Sequence, residues 1–329
     1  MTSTSPEVTA VIPTRDRWQL LRRALRSVLS QENARVEAIV VDDASREPPD
    51  EETRSLLREA TLLRQEPHAG VSAARNAGIT RANAEWVAFL DHDDVWAPSK
   101  ISTVIDAIKS AEAEFGYSSV IGVDDEMRPL WISEAPAPDD LFARLLRGNV
   151  VPGGGSGVVA KTQFVRGRGG FDERLSYTAD WDLWLRLAQT ARAAAVAAPL
   201  VAYSCHAAAW HVGGWGARPD LIHEELDRLA RKHAALGVHI DRAAFDRYLA
   251  RSLWWAGCRR EAARAFISAG IRNRDLVALA RGVGSFRSRR TAAWLRLFPR
   301  VAPPDPAWLA AYRRGSGPYR LGAPTRVKP

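Results

Sequence analysis

The chain has 329 residues, 46% apolar and 26% charged, an ordinary globular composition with length for more than one core. Its formal net charge of +8 is unevenly spread: residues 251–329 carry 17 basic and 3 acidic side chains, which leaves the first 250 mildly acidic. Composition therefore excludes a disordered or fibrous chain, and a nucleic-acid reading of the charge applies only to the C-terminal part.

The first hundred residues alternate regularly. Val8-Thr9-Ala10-Val11-Ile12 is a β-branched run that ends at Pro13 and predicts a strand. Residues 18–30 have helical spacing, with Leu21, Ala24, Leu25, Val28 and Leu29 on one face and Arg22, Arg23 and Arg26 off it. A second strand is expected over 36–41, ending in Asp42-Asp43, then a helix around 51–59 and a third strand over 61–64. Residues 71–82 read as a helix, and Trp86-Val87-Ala88-Phe89-Leu90 as a fourth strand that ends in Asp91-His92-Asp93-Asp94. Pro98, at a first helical position, opens a helix over 99–113. The rhythm predicts an α/β protein whose parallel sheet lies between helices, with ligands at the carboxyl ends of its strands.

The middle is less regular. Residues 115–160 hold short strand candidates, a helix over 140–147 and the flexible run Gly153-Gly154-Gly155-Ser156-Gly157. A helix over 180–191, with Leu183, Trp184 and Leu187 on its apolar face, precedes a last strand over 194–203. From Pro219 the pattern is helical. Leu221, Ile222, Leu226, Leu229 and Leu236 mark one helix and Phe245, Leu249, Leu253 and Trp254 another; Gly257, Ala262 and Phe266 resemble part of a helical hairpin. The Pro-, Gly- and Arg-rich end, 315–329, is expected to be disordered. Cys205 and Cys258 cannot frame a disulfide fold and are read as buried thiols. No apolar signal core opens the chain, and its longest apolar stretch, 193–203, is far short of the ~20 residues that span a bilayer. A cytoplasmic, soluble or peripheral protein is expected.

Three acidic clusters could carry chemistry. Asp91, Asp93 and Asp94 crowd three carboxylates after a buried strand, a conflict that a Mg²⁺ or Mn²⁺ ion would remove. Residues at i and i+2 of an extended segment point the same way, so Asp91 and Asp93 can face one ligand; a simple acidic helix cap is the bland alternative. Asp42-Asp43 could accept hydrogen bonds from a base or ribose, although Asp-Asp-Ala-Ser is also good turn chemistry. Asp180-Trp181-Asp182 offers a general base for a hydroxyl, or merely the acidic first turn of a helix. Gly155-x-Gly157-x-x-Ala160 imitates a dinucleotide fingerprint, but it stands late in the chain and leads into a strand candidate. A Walker loop and a nucleophile-elbow serine are absent from the sequence, and His206 with His211 is a weak metal pair.

Taken together, Val11-Ile12-Pro13-Thr14-Arg15-Asp16-Arg17, Ser27-Val28-Leu29-Ser30-Gln31, Val40-Val41-Asp42-Asp43-Ala44-Ser45, residues 70–78 (GVSAARNAG) and Phe89-Leu90-Asp91-His92-Asp93-Asp94-Val95-Trp96 resemble the GT-A family 2 inverting glycosyltransferases. The likeness continues through Gly170-Phe171-Asp172-Glu173 and residues 180–187 (DWDLWLRL), and covers roughly residues 7–206. It implies the GT-A nucleotide-diphospho-sugar transferase fold, a mostly parallel sheet between helices, followed by a helical C-terminal region. The implied domains are a catalytic one over 1–215, a basic helical region over 216–314 and a tail over 315–329.

The resemblance also implies roles. Pro13, Thr14 and Asp43 would line the base pocket, with Asp42 nearby and Arg75 close to the base or diphosphate. Asp91 and Asp93 would be the D-x-D pair, Asp91 toward the ribose and both toward a Mn²⁺ or Mg²⁺ ion. Asp180 would be the catalytic base, with Asp182 a substitute. Ala179 stands where the family has Glu, and Asp16 where many relatives have Asn. The implied activity is transfer of a sugar from a nucleotide-diphosphate sugar donor to a glycan, lipid-linked or small-molecule acceptor. The alternatives are a non-catalytic homologue, a sugar-phosphate nucleotidyltransferase lacking its glycine loop, and a nucleic-acid-binding protein. For the basic region, and residues 287–300 above all, an anionic membrane surface is the preferred partner over nucleic acid, with a solvated face of a helical bundle the bland alternative.

Overall fold

The computed structural model describes residues 5–205, 219–255, 259–286 and 303–314. In chain order the elements of the first unit begin with β1 (Val8–Thr14), α1 (Trp18–Leu29), β2 (Val36–Asp43), α2 (Glu51–Leu57), β3 (Thr61–Gln65), α3 (Val71–Arg81) and β4 (Trp86–Phe89). They continue with β5 (Val95–Trp96), α4 (Lys100–Ser110), β6 (Phe115–Val123), β7 (Pro129–Ser133) and, after α5 (Leu141–Leu145), β8 (Val158–Lys161), α6 (Thr162–Gly167), α7 (Ala179–Ala188) and β9 (Ala193–Ser204). The helical segment then supplies α8 (Pro219–Ala234), α9 (Arg242–Trp255), α10 (Arg259–Asn273) and α11 (Leu276–Phe286), and α12 (Ala307–Arg313) closes the described chain.

The strands form one nine-stranded sheet of order β3-β2-β1-β4-β8-β6-β9-β5, with β7 beside β6. β1, β2, β3 and β4 run parallel, as their alternation with helices dictates. β8 is antiparallel to both β4 and β6, and β5 to β9, so the far half of the sheet is mixed. Sequence periodicity cannot reveal that reversal, because a fully buried strand has the same apolar run in either direction. β1 and β6 are buried along their whole length, and α1 covers the sheet with Trp18, Leu21, Ala24, Leu25 and Val28.

Several local expectations shift. β5 and α6 are elements that periodicity does not signal, being two and six residues long. Pro98 lies before the helix rather than in it: α4 begins at Lys100, and Ser99 stands at its N-cap position with no side-chain capping bond. The glycine run 153–157 is a built turn rather than a flexible one, and Ser156 within it is fully buried. Cys205 is half-buried rather than buried. Cys258, His206, His211, residues 287–300 and the tail 315–329 lie outside the described residues.

By contacts the chain divides into two units. The first joins Met1–Asp139 and Val151–Ser204 to Ala302–Pro329. The last segment belongs there because Leu309 is buried among Val95, Ile121, Val123 and Ala202, Trp308 Nε1 donates to the Pro199 carbonyl at 3.1 Å, and Arg313 Nη1 to the Met127 carbonyl at 3.0 Å. The second unit joins Asp140–Val150 to Cys205–Val301. Its core is Ile222, Leu226, Leu229, Phe245, Leu249, Ala262, Phe266 and Ala269. By this division α5 groups with the helical unit and α12 with the sheet. Among the described residues no helix is long and apolar enough to cross a membrane.

Candidate active site

The parallel strands end on one edge, and the β1–β2 register puts Thr14 opposite Asp42 there. β3 then pairs Asp42 with Arg64. Both Asp42 and Asp43 are buried. Asp42 Oδ2 accepts from Arg64 Nη1 at 2.5 Å, and its Oδ1 accepts from the Ser45 amide at 3.0 Å. Asp43 gathers the loop before α3: its Oδ1 accepts from the Ala69 amide at 2.8 Å, its Oδ2 from the Gly70 amide at 2.9 Å, and His68 Nδ1 lies 2.6 Å from that Oδ2. Pro13 and Thr14 are buried beside them, and Thr14 Oγ1 has no hydrogen-bond partner. Asp16 takes a positive φ of 51° and accepts from the Arg46 amide at 2.7 Å, a conformation that Asp and Asn tolerate best.

The next strand end carries the acidic turn. Asp94 N donates to the Asp91 carbonyl at 3.1 Å and closes it. Asp91 and Asp93 are half-buried, whereas Asp94 is turned inward and fully buried. Asp91 Oδ1 accepts from Arg75 Nη2 at 2.5 Å, and the Arg75 guanidinium also packs over the Phe171 ring at 5.1 Å. Burial raises the Asp94 pKa well above the usual carboxylate value, and the charges of Asp93 and Asp91 push it further. Ser156 Oγ and the Ser204 amide donate to its two oxygens, at 2.6 and 2.9 Å.

Asp180 and Asp182 prove unlike each other. Asp180 is half-buried at the start of α7, where its Oδ1 accepts from the Trp181 amide at 2.8 Å. Its Oδ2 faces the glycine run, since a Cβ built on Gly154 would lie 3.1 Å from it. Asp182 is fully buried, and its Oδ2 binds Arg186 Nε at 3.0 Å and Nη2 at 2.6 Å. Arg186 continues to the Gly170 carbonyl at 2.7 Å, so this pair ties α7 to the preceding loop. Ala179, at the family's Glu position, is fully buried as well.

The glycine run thus meets Asp94, Asp91, Arg75 and Asp180 in turn, a role that sequence reading missed when it set the run aside as a false fingerprint. Its signal was the serine: Ser156 is the one residue of the run able to hydrogen bond through its side chain.

The model of glycosyl transferase family 2 matches residues 9–166, from β1 through α6. The chain carries a glycosyl transferase family 2 domain. The succinoglycan biosynthesis protein ExoW of Rhizobium meliloti is 35% identical to the chain over 125 residues, 36% of this chain and 39% of that protein. ExoO of the same organism is 32% identical over 133 residues, 38% of this chain and 36% of that protein. The chain therefore spans less than half the length of these curated relatives. S. aureus TarS, solved as residues 1–349 with UDP-GlcNAc, superposes on the family 2 chain with a TM-score of 0.57 at 16% identity, covering 94% of this chain and 92% of that one. This likeness establishes the GT-A fold.

The acidic turn fits a divalent cation by its donor chemistry. Asp91 and Asp93 supply hard carboxylate oxygens, and Mg²⁺ or Mn²⁺ needs only one or two of these beside water and phosphate oxygens. Asp94 is raised first by burial and then by the charges of Asp93 and Asp91, and a cation beside the turn would offset the second of these causes. Among the described residues no three His, Cys, Asp or Glu side chains gather into an all-protein metal cage.

Proposed function

We propose that this protein is a metal-dependent, inverting glycosyltransferase that moves a sugar from a nucleotide-diphosphate donor to an acceptor hydroxyl in the synthesis of a cell-surface polysaccharide or glycoconjugate. One observation carries the reading: Asp91, its partner Arg75 and the Asp180 carboxylate all border one stretch, residues 153–157. The succinoglycan relatives support the polysaccharide context, and the UDP-GlcNAc in TarS makes a uridine nucleotide the first donor to test.

In this reading Pro13, Thr14 and Asp43 bound the base, with Asp42 holding Arg64 and the adjacent turn. Arg75 orients Asp91 toward the ribose side of the donor. A divalent cation held by Asp93 and Asp91 would supply neutralisation of the charge that builds on the departing nucleoside diphosphate. Asp180 accepts the proton of the acceptor hydroxyl while that oxygen attacks the anomeric carbon from the face opposite the leaving phosphate. One displacement inverts the configuration and needs no enzyme nucleophile. Donor turnover measured with and without Mn²⁺ tests the whole: Asp93→Ala is expected to lose metal-stimulated turnover. Metal-independent activity that survives in this variant would overturn the assignment, and UDP binding without transfer to any acceptor would favour a non-catalytic homologue.

The helical unit carries a second proposal, attachment to an anionic membrane. Ile271, Leu276, Val277 and Val283 on α10 and α11 are 67%, 78%, 59% and 56% exposed. Arg260, Arg264, Arg272, Arg274 and Arg281 belong to the same hairpin, against Glu261 and Asp275. Apolar side chains among arginines fit the headgroup boundary of anionic lipid. Co-sedimentation with anionic vesicles but not neutral ones is expected; equal, negligible binding to both ends the idea.

A further inference from the structure

Ser156 is fully buried; its amide donates to the Gly153 carbonyl at 2.9 Å within the loop, while its hydroxyl and carbonyl face residues 91–96. Its Oγ donates to Asp94 Oδ2 at 2.6 Å and accepts from the Asp91 amide at 3.0 Å. Its carbonyl accepts from Trp96 Nε1 at 2.9 Å. Three residues of one six-residue stretch, 91–96, are therefore anchored to a single serine. From the other side, the Ser204 amide donates to Asp94 Oδ1 at 2.9 Å and the Ser204 hydroxyl to the Asp93 carbonyl at 2.5 Å. Asp94 thus receives two clamps and has no carboxylate oxygen without one.

The residues just before Ser156 reach the rest of the site. Gly154 has φ +56°, a region most side chains avoid, and a Cβ there would stand 3.1 Å from Asp180 Oδ2. A Cβ on Gly155 would stand 3.4 Å from Arg75 Nη2. One short turn consequently borders the carboxylate pair, the arginine beside it and the candidate base.

The geometry points to Ser156 as a positioning residue that locks the Asp91–Asp94 turn onto the 153–157 loop, and so fixes the donor carboxylates in one frame with Asp180. A hydroxyl suits this task because it donates and accepts at once. Alanine removes both bonds, and sub-ångström misplacement of reacting groups is enough to slow an enzyme strongly. Ser156 itself reaches no ligand; it acts through Asp91 and Asp94.

This inference rests on the glycosyltransferase reading, and the experiment separates the two. UDP binding is followed by calorimetry with and without Mn²⁺, alongside transfer kinetics, for the wild type, Ser156→Ala, Ser156→Cys and Ser156→Thr. Should the wild type bind no UDP, the uridine-donor reading fails, and the positioning role falls with it. With wild-type binding in hand, Ser156→Ala is expected to weaken Mn²⁺-dependent UDP binding about tenfold and to lower kcat by a similar factor. Ser156→Cys, close to serine in volume with a much weaker hydrogen-bonding group, tests the same loss should alanine not fold. Ser156→Thr, which restores the hydroxyl, is expected to recover UDP affinity. A purely structural serine would lower the melting temperature of Ser156→Ala or Ser156→Cys and leave UDP affinity and kcat at the wild-type level, and that result overturns the proposal.

Discussion

Two aspartates separated by one residue in the sequence part company in the structure, and the difference is measurable. Asp182 shares its buried oxygen with both nitrogens of the Arg186 fork. Asp182→Asn takes away the charge that balances Arg186, and is expected to destabilise the fold toward the lower end of the roughly 3–5 kcal/mol seen when a buried pair is broken. Asp180 is only half-buried at the start of α7, and Asp180→Asn is expected to fold normally and bind nucleotide. Its kcat should fall by about 10²–10⁴-fold, the usual contribution of a general base. Urea denaturation and steady-state kinetics on the two variants check this, and reversed phenotypes would move the base to Asp182. From the sequence both stood in an acidic first turn, and only burial distinguishes them. Lys100 was less legible still. A lysine opening a helix reads as a surface residue, yet it is fully buried, with Nζ 3.4 Å from the Val158 carbonyl and 4.1 Å from the Trp96 ring centre. Contact with the indole favours the ammonium, but desolvation and the positive end of α4 oppose it, and burial holds its pKa well below the ordinary lysine value of 10.5. In the unfolded chain lysine keeps its ordinary value. The folded state is therefore penalised below the folded pKa, and the penalty fades as pH rises toward 10.5. Lys100→Met is expected to stabilise the protein by about 1–3 kcal/mol at neutral pH and by little near the ordinary lysine value, as denaturation midpoints across that range would reveal.

Elements were legible where one face or one length decided them. α1, β1, β2, β4 and β9 lie within about two residues of their expected ends, because each is a long apolar face or a β-branched run bounded by Pro, Asp or Gly. β5 and α6 were not, since two or six residues carry no period, and β5 exists only through its pairing with β9. The α10–α11 hairpin depends on close approach of a kind that composition hides. A Cβ on Gly282 would lie 2.5 Å from Ile267 Cγ1 and 2.9 Å from the Ala263 carbonyl, and one on Gly270 would lie 2.5 Å from Leu279 Cγ. In a free helix alanine would be the better residue at both places. Here Gly282→Ala is expected to reverse that preference and cost about 1–3 kcal/mol, because the obstruction at Ala263 is backbone and cannot rotate away. Circular dichroism melting of the variant provides the measure. A rise in stability would mean that the helices do not approach this closely.

At the scale of the whole molecule the net charge conceals two opposite halves, and the opposition has a physical reading. The sheet unit concentrates Asp42, Asp43, Asp91, Asp93 and Asp180 at or near its strand ends, although the proposed donor is itself a diphosphate. Two like-charged partners meet only if a cation joins them, so nucleotide and metal are expected to stabilise the protein together and far less apart. A ligand at a hundred times its Kd adds about 2.7 kcal/mol to the folded state. A domain of 150–250 residues gains about 2–4 °C per kcal/mol, so a shift of roughly 5–10 °C is expected for UDP with Mn²⁺. UDP alone should shift the melting point by much less, and in Asp93→Ala the added effect of Mn²⁺ should vanish. Equal shifts with and without the metal in the wild type would show that the acidic turn takes no part in holding the diphosphate. The response would then have to come from the base pocket, and the reading of Asp91 and Asp93 would fail even if the protein proved to be a transferase.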